Sequence, residues 1–164
     1  MNFLAMARHA SFVRNRAMGT QALTQDGCFE MGMLSWNLAA LLKGMSVLIL
    51  ASTAPRVSDC VDILMRTLED RGISGVALER CKFLNTDEVA PNAECLDRLG
   101  QLIEQKAETV DAIIVVAHQP HCENFPRRYV DRKFGVFPEN VFVNTAEALL
   151  VNCSTGEITK VNHY

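Results

Sequence analysis

Short, continuous runs of apolar residues recur along the chain, and segments with helical spacing of apolar residues lie between them. The three clearest runs predict strands at 3–8, 46–51 and 112–117. Runs of this length without polar alternation are typical of parallel strands that are buried on both faces. The pattern therefore predicts an α/β fold, a three-layer α/β/α sandwich in which helices cover both faces of a mostly parallel central sheet.

Apolar residues at helical spacing predict four helices between and after these strands. The first has Thr24 as its N-cap and ends before Gly44, because threonine favours N-caps and glycine favours the residue after a helix. The second begins at Pro55, where proline suits the first turn. The third begins near Ala93 and the fourth at Pro120. This alternation of strands and helices is the order expected of an α/β fold.

The rest of the chain predicts a short strand, a terminal hairpin and two loops. Further strands are expected at 75–81, 147–152 and 157–161, with a turn around Gly156 between the last two. Residues 9–23 and 131–144 are expected to be loops. No repeat or low-complexity segment interrupts this order, so we expect a single domain over residues 1–164.

The composition is that of an ordinary globular protein, with 49% hydrophobic and 21% charged residues. A net charge of −3 argues against nucleic acid as a partner. No run approaches the about 18 apolar residues of a membrane span, so we expect no membrane partner and a cytoplasmic protein. The first 25 residues contain arginines but no acidic residue, so a mitochondrial transit peptide is an alternative interpretation of that segment.

Six cysteines are scattered along the chain without a CxxC motif. In a cytoplasmic protein this favours reduced, mostly buried thiols. Three of them lie on or beside the apolar faces of predicted helices: Cys28, Cys60 and Cys95. A zinc site is an alternative interpretation of His118, His121 and Cys122, but their spacing matches no common zinc pattern. We therefore expect no metal and take His121, like His163, to be a surface residue.

Four basic side chains come at or just after the ends of the three clearest strands. Arg8 and His9 follow the first, Arg56 follows the second and His118 follows the third. In open α/β sheets the ligand crevice lies outside the carboxyl ends of the strands, so we expect these side chains to share one crevice. Two guanidiniums and two imidazoles suit the negative charge of a phosphoryl group better than a metal ion or an acyl chain.

These residues belong to an ordered series of short motifs. Arg8-His9-Ala10 follows the first strand, and Asn15 lies seven positions after Arg8. The later motifs are Leu23-Thr24-Gln25-Asp26-Gly27, the pair Ser52 and Arg56, and His118-Gln119-Pro120. Their order resembles the histidine phosphatase superfamily, which includes cofactor-dependent phosphoglycerate mutases and small phosphohistidine phosphatases. The resemblance covers nearly the whole chain and is greatest to the small phosphohistidine phosphatase branch.

The resemblance implies a metal-independent phosphatase with a phosphoglycerate mutase-like fold. His9 would attack phosphorus and become a phosphohistidine. Arg8, Asn15, Arg56 and a protonated His118 would bind the phosphoryl oxygens and stabilise their negative charge. Because these groups come from the protein, the resemblance implies neither a metal nor another cofactor.

Two features leave the activity open at this point. Ala10 stands where the family has glycine, and alanine is unfavourable there if the backbone has a positive φ. The general acid is also open. In the mutase-like branches it is a carboxylate from the loop after the third strand in chain order, which here is the strand expected at 75–81. Glu88 is the first candidate in that loop and Asp87 the second. A protein phosphohistidine leaves as an imidazole, so a third alternative is that neither carboxylate is essential.

The expected function is hydrolysis of a phosphomonoester or of a protein phosphohistidine through a covalent phosphohistidine at His9. A phosphorylated protein is the favoured partner, and a small phosphorylated metabolite, as substrate of a phosphatase or a mutase, is the alternative. A domain that binds a phosphorylated ligand without turnover is a further alternative, supported only by Ala10. The basic group at Arg127, Arg128, Arg132 and Lys133 is expected to be a solvated surface, or else to help hold an acidic substrate.

Overall fold

Strands and helices alternate along most of the chain, as the apolar pattern predicts. The computed structural model describes residues 1–15, 20–73, 75–85, 93–139 and 141–164. Within these residues the strands are β1 (Phe3–Arg8), β2 (Phe12–Asn15), β3 (Thr20–Leu23), β4 (Val47–Ser52), β5 (Ala77–Cys81), β6 (Ala112–Ala117), β7 (Ala148–Asn152) and β8 (Ile158–Val161). The helices are α1 (Gln25–Leu41), α2 (Pro55–Asp70), α3 (Ala93–Lys106) and α4 (Gln119–Phe134), with a 3-10 turn at Lys82–Leu84.

The central sheet has the strand order β5-β4-β6-β1-β7-β8 in the described part of the chain. The first four strands in this order run parallel to one another. β7 pairs with the other edge of β1 in the antiparallel sense, and β8 continues the sheet as the second strand of a hairpin. Every residue of β4 and β6 is buried, which explains why their sequences are continuously apolar. The prediction of a mostly parallel sheet is confirmed.

Helices cover both faces of this sheet, so the chain has two cores. Consecutive residues of a strand point to opposite faces, and their side chains divide between the two cores accordingly. The core beneath α1 and α2 includes Ile49, Ile114, Leu38 and Leu64. The core beneath α3 and α4 includes Leu50, Val115, Leu99 and Phe125. The predicted three-layer α/β/α arrangement is therefore confirmed.

The segment between β1 and α1 differs from the expected loop. β2 and β3 pair as a small antiparallel sheet that is separate from the central one, with Phe12 opposite Leu23 and Asn15 opposite Thr20. Three of the four residues of β2 are exposed, so its sequence lacks the apolar pattern that marks a buried strand. The expectation of a loop over 9–23 was wrong for this reason.

α4 also extends beyond its expected end. It continues to Phe134, whereas residues 131–144 were expected to be a loop. Gly135 follows in the left-handed conformation, with φ of 66°, and its N–H donates to the carbonyl of Asp131. Glycine favours that conformation, and the cations Arg132 and Lys133 in the last turn complement the helix dipole. Within this segment, residues 136–139 and 141–144 lack helical structure.

Four of the six cysteines are buried, and one of the three expected on apolar helix faces is not. Cys60, Cys81, Cys122 and Cys153 are buried, Cys95 is partly buried and Cys28 is exposed. Cys28 lies in the first turn of α1, where its side chain points away from the core, so its structural assignment was wrong. None of the helices in the described ranges is both long and apolar enough to cross a membrane.

The start of α1 is attached to the segment between β1 and β2 through the carbonyl of Ser11. Thr24 donates to this carbonyl from its backbone N–H (3.0 Å) and from its hydroxyl (3.3 Å). The Thr24 hydroxyl also accepts the N–H of Gly27 at 2.9 Å, which confirms Thr24 as the N-cap. A Cβ on Gly27 would overlap the Ser11 carbonyl oxygen. Glycine at position 27 is therefore required for this close approach.

We predict that Gly27→Ala destabilises the fold. The added methyl forces the Ser11 backbone or the first turn of α1 to move, and overpacking of this kind costs about 1–3 kcal/mol in free energy of unfolding. Urea unfolding followed by circular dichroism measures the change.

Gly32→Ala on the same helix is the matched control. A Cβ at Gly32 meets nothing within 4 Å, so alanine there should stabilise the helix by about 0.5–1 kcal/mol. Equal effects of the two substitutions would contradict the close approach at Gly27.

Candidate functional site

His9 and His118 lie side by side at the carboxyl ends of β1 and β6. The two strands pair in parallel up to Arg8 and Ala117, and the N–H of His9 donates to the carbonyl of Ala117 at 3.1 Å. The next residue of each strand is therefore a histidine at the same edge of the sheet. The ring centroids are 5.3 Å apart, and the planes are inclined by 66°. The side chains expected to share a crevice from the first and third strands do come together.

The hydrogen bonding of His9 defines its tautomer. Nδ1 lies 2.9 Å from the carbonyl oxygen of Ala10. A carbonyl only accepts, so Nδ1 carries the proton and the lone pair of the neutral ring is on Nε2. Burial lowers the pKa of His9 to about 4, although the Ala10 carbonyl acts in the opposite sense and the charges of Arg56 and Arg8 add to the lowering. At neutral pH His9 is therefore an uncharged imidazole whose Nε2 is nucleophilic.

Arg56 comes to the same site from the first turn of α2. Pro55 occupies the start of that helix, directly after the loop that follows β4. The guanidinium donates from Nη2 to Nδ1 of His118 (3.0 Å) and from Nη1 to Oε1 of Gln21 (3.1 Å). It also lies over the ring of Phe12, 5.2 Å from the centroid. The β2–β3 hairpin thus holds Arg56 against His118.

Arg8 reaches the site from the last position of β1. Its Nη1 donates to the carbonyl of Val143 at 3.0 Å. Its Nε is buried and has no hydrogen-bond partner among the described residues. A guanidinium has five N–H donors, so Arg8 keeps donors for an anion while one of them holds its position.

The remaining predicted site residues are not brought into this group by described contacts. Asn15 lies at the exposed end of β2, opposite Thr20, and its role remains a prediction. Glu88 and Asp87, the candidate general acids, lie outside the described residues. The four basic residues at the strand ends are therefore the part of the predicted site whose geometry is described.

His121 is not a surface residue, so that prediction was wrong. Its exposed fraction is 1%, and its Nε2 lies 3.3 Å from Sγ of Cys95. Burial lowers the pKa of His121 to about 4. It lies one turn after His118 and one turn before the buried Phe125, on the inner side of α4. That spacing was the signal in the sequence. His163 is partly buried, with Nδ1 3.2 Å from the carbonyl oxygen of Ala146.

The basic group near the end of α4 is separate from these strand ends. Arg128 and Arg132 both bind Asp97 of α3, at 2.6 and 2.7 Å. Arg132 is 14 residues after His118, roughly 20 Å along the helix at 1.5 Å per residue. Arg128 and Arg132 therefore hold α4 against α3 and do not line the site around His118.

The zinc site considered for His118, His121 and Cys122 has no counterpart in the described geometry. In the described ranges no three His, Cys, Asp or Glu side chains form a group that could hold a metal ion. His118 instead contacts Arg56 through Nδ1, and His121 contacts Cys95 through Nε2.

Ala10 fits its position without backbone strain. Among the described residues, the non-glycine residue with a positive φ is Ala146, so Ala10 does not need the glycine conformation. Its side chain is fully buried in the core beneath α1 and α2, and its N–H donates to Sγ of Cys60 at 3.3 Å. The positive φ that would make alanine unfavourable is therefore absent.

Solved structures with the same architecture can now be compared with this site. A protein histidine phosphatase, SixA, complexed with tungstate is 17% identical, covers 98% of this chain and 97% of that chain, and has a TM-score of 0.68. An alpha-ribazole phosphatase from Shigella flexneri is 16% identical over 98% of this chain and 96% of that chain, with a TM-score of 0.59. A phosphoglycerate mutase from Plasmodium falciparum is 15% identical over 99% and 92%, also with a TM-score of 0.59.

This chain has the histidine phosphatase fold. The likeness in three dimensions extends over nearly all of the chain, as the motif resemblance implies. The sequence itself matches no protein-family model and no curated protein. At these identities the histidine phosphatase fold is what the neighbours share with this chain, and the roles of individual residues depend on the geometry described above.

The three buried imidazoles predict how this histidine phosphatase fold responds to acid. Burial is the largest cause of the lowered pKa of His9 (about 4), His118 (about 3) and His121 (about 4). In the unfolded chain each histidine has a pKa near 6.5. Between pH 6.5 and about 4 the unfolded chain binds protons that the folded chain does not, so the free energy of unfolding should fall as the pH falls through this window.

Two measurements check this prediction. Urea unfolding at a series of pH values should give lower stability at pH 5 than at pH 7.5. Imidazole chemical shifts from NMR should show all three rings still neutral at pH 5.5. A His9 or His118 ring that titrates near pH 6.5 in the folded protein would contradict the described burial.

Proposed function

We propose that this chain is a phosphatase that hydrolyses phosphomonoesters or phosphohistidine through a covalent phosphohistidine on His9. The observation that carries the proposal is the state of His9, a neutral ring with Nδ1–H on the Ala10 carbonyl and the lone pair on Nε2. The guanidinium of Arg56 and a second imidazole, His118, lie on the same side of the sheet edge. A nucleophile and cationic groups in one place suit phosphoryl transfer.

The reaction takes place in two displacements at phosphorus. Nε2 of His9 attacks phosphorus, an N–P bond forms, and the bond from phosphorus to the leaving group breaks with the electron pair going to the leaving atom. Water then attacks the phosphohistidine, loses its proton, and releases inorganic phosphate as Nε2 regains its lone pair. The positive charge that develops on the ring during attack is stabilised by the Nδ1–H bond to Ala10.

Binding of the phosphoryl group falls to the cations around His9. Arg8 holds its position through Val143 and keeps buried donors, including Nε, for phosphoryl oxygens. Arg56 and His118, which contact each other beside His9, bind further phosphoryl oxygens, and Asn15 donates from β2. Charge in the transition state is spread over the phosphoryl oxygens, so fixed donors are the main source of rate acceleration. The protein's own side chains therefore supply the positive charge that stabilises the phosphoryl group.

The proposed substrate is a protein phosphohistidine. SixA, a protein histidine phosphatase, matches this chain over nearly the full length of both, and the oxyanion in that structure, tungstate, is tetrahedral like phosphate. A small phosphorylated metabolite is the second candidate, supported by the likeness to an alpha-ribazole phosphatase and a phosphoglycerate mutase. The cytoplasm is the proposed setting, since the six cysteines are all thiols.

We predict that His9→Ala abolishes turnover. Loss of the nucleophile removes the covalent route, and losses of this kind amount to about 10³-fold or more in kcat. Release of inorganic phosphate from a panel of phosphohistidine and phosphomonoester substrates measures the effect. Quenched wild-type protein should also carry a phosphoryl label on His9 that is labile in acid and stable in base.

His163→Ala is the matched control for the same chemical change. That ring bonds the Ala146 carbonyl through Nδ1 and takes no part in the proposed chemistry, so turnover should remain within a few-fold of wild type. Wild-type hydrolysis by His9→Ala would show that the nucleophile is another residue. No hydrolysis by the wild-type protein on any substrate would favour the binding domain without turnover.

A second prediction concerns the general acid and separates the two substrate classes. An alcohol leaving group needs a proton in the transition state, and general acid catalysis contributes about 10²–10⁴-fold. A phosphohistidine leaves as an imidazole and needs less help. Glu88→Gln, or Asp87→Asn, should therefore reduce kcat on alkyl phosphates strongly and on phosphohistidine weakly.

Each variant is measured on both substrates, so each substrate is the control for the other. An equal loss on both would show that the carboxylate does not protonate the leaving group. No loss on either would show that the acid is another residue or is not required.

A further inference from the structure

A buried hydroxyl connects His118 to a residue of a neighbouring loop. Ser52 is the last residue of β4, and its side chain is fully buried. Its Oγ lies 2.6 Å from Oδ1 of Asn85 and 3.2 Å from Nε2 of His118. It also accepts the N–H of Ala54 at 3.1 Å. The hydroxyl has one proton, so its direction determines which nitrogen of His118 is protonated.

The side-chain amide of Asn85 has a defined orientation. Its Oδ1 accepts the backbone N–H of Thr53 at 2.9 Å, and its Nδ2 donates to the hydroxyl of Thr53 at 2.8 Å. Because a backbone N–H only donates, the atom facing it is the amide oxygen. The same oxygen faces Ser52, so the Ser52 hydroxyl donates its proton to Asn85.

The direction of these bonds defines the tautomer of His118. Ser52 Oγ has no proton left for His118, so Nε2 of His118 carries a proton and donates it to Ser52. On the other side of the ring, Arg56 Nη2 lies 3.0 Å from Nδ1. A guanidinium only donates, so Nδ1 is the unprotonated nitrogen. Two independent contacts, on opposite sides of the ring, give the same result.

The groups around His118 disfavour a second proton when no anion is present. Burial is the main reason that its pKa is lowered to about 3, and Arg56 from α2, His9 and Arg8 from β1, and His121 from α4 add to the effect. A phosphoryl dianion beside Arg56 brings the opposite charge and favours protonation at Nδ1. The bond from Arg56 Nη2 to Nδ1 then breaks, and both groups donate to the anion instead. His118 then donates from both nitrogens.

We propose that Ser52 and Asn85 are positioning residues that keep a proton on Nε2 of His118, so that Nδ1 is the nitrogen that gains a proton and donates to the phosphoryl group. This inference rests on the proposed function. Under this inference, His118 becomes a cationic donor to the phosphoryl group only when the anion binds. Arg8 and Arg56 are cations whether or not the anion is present. Asn85 acts through Ser52 and does not touch the substrate.

The tautomer can be measured without turnover. Two-bond ¹H–¹⁵N correlations on the full chain at pH 7 should show His118 protonated on Nε2 and unprotonated on Nδ1. Tungstate is the anion probe, and its addition should protonate Nδ1 while Nε2 stays protonated. A wild-type ring with its proton on Nδ1 in the absence of tungstate would overturn the inference.

Two substitutions test the chain of hydrogen bonds. In Asn85→Leu the Ser52 hydroxyl loses its acceptor and can donate to Nε2, so the proton of His118 should move towards Nδ1. In Ser52→Ala the acceptor of the Nε2 proton is lost, and the preference between tautomers should weaken. Loss of the outer partner of a metal-binding histidine costs about 10- to 100-fold. We expect a loss of similar size in kcat here, with KM within a few-fold.

Asn85→Asp and Thr67→Ala are the matched controls. Aspartate keeps an oxygen acceptor for Ser52, so it should retain the proton on Nε2, recover most of kcat and move the acid limb of the pH profile to higher pH. The Thr67 hydroxyl donates to the carbonyl of Ile63 within α2 at 2.9 Å, three turns after Arg56, so its loss should change neither the tautomer nor kcat.

The outcomes separate this inference from the proposed function. A fall in kcat in Asn85→Leu with an unchanged tautomer would show a merely structural role and would overturn the positioning assignment. A wild-type protein that hydrolyses no substrate would contradict the proposed function, whereas the tautomer and its response to tungstate would still test Ser52 and Asn85.

Discussion

Parallel hydrogen bonding between β1 and β6 pairs Phe3 with Ala112 and continues in register to Arg8 and Ala117. Both strands therefore end at the same level, and the next residue of each is a histidine. A change of one residue in this register would turn the side chains of one strand to the opposite faces and separate the two rings. The distance between His9 and His118, and every contact that depends on it, follows from this pairing.

Burial of basic groups at this edge is unfavourable in the absence of an anion, and the hydrogen bonds around the two rings reduce that cost. Burial keeps both histidines neutral, and each has a defined tautomer because Ala10 accepts from Nδ1 of His9 and Arg56 donates to Nδ1 of His118. The positive charge is therefore concentrated on Arg8 and Arg56, whose planar groups suit the oxygens of a phosphoryl group. An anion that binds here neutralises the positive charge that the folded protein already holds at this site.

The parts of the fold that could be predicted are those in which the local pattern and the tertiary environment agree. β4 and β6 are buried on both faces, so their sequences are apolar throughout. The β2–β3 hairpin is mostly exposed and has no such pattern, and it was missed although it supplies Phe12 and Gln21 to Arg56. His121 was misjudged because it matches no motif position, although its place one turn before Phe125 puts it on the inner side of α4. The candidates Glu88 and Asp87 remain predictions.

The sequence by itself determined the order of the central strands and the helices that cover them, the N-cap at Thr24 and the basic residues at the strand ends, because each of these depends on neighbours within a few positions. Only the tertiary structure decided which atoms of those residues meet. The Nε2 lone pair of His9 depends on a local carbonyl, but the state of His118 depends on Ser52 and Arg56, which flank the start of α2, and on Asn85 from a separate loop. Hydrogen-bond direction at such a site is a property of groups brought together by folding, and no spacing along the chain contains it.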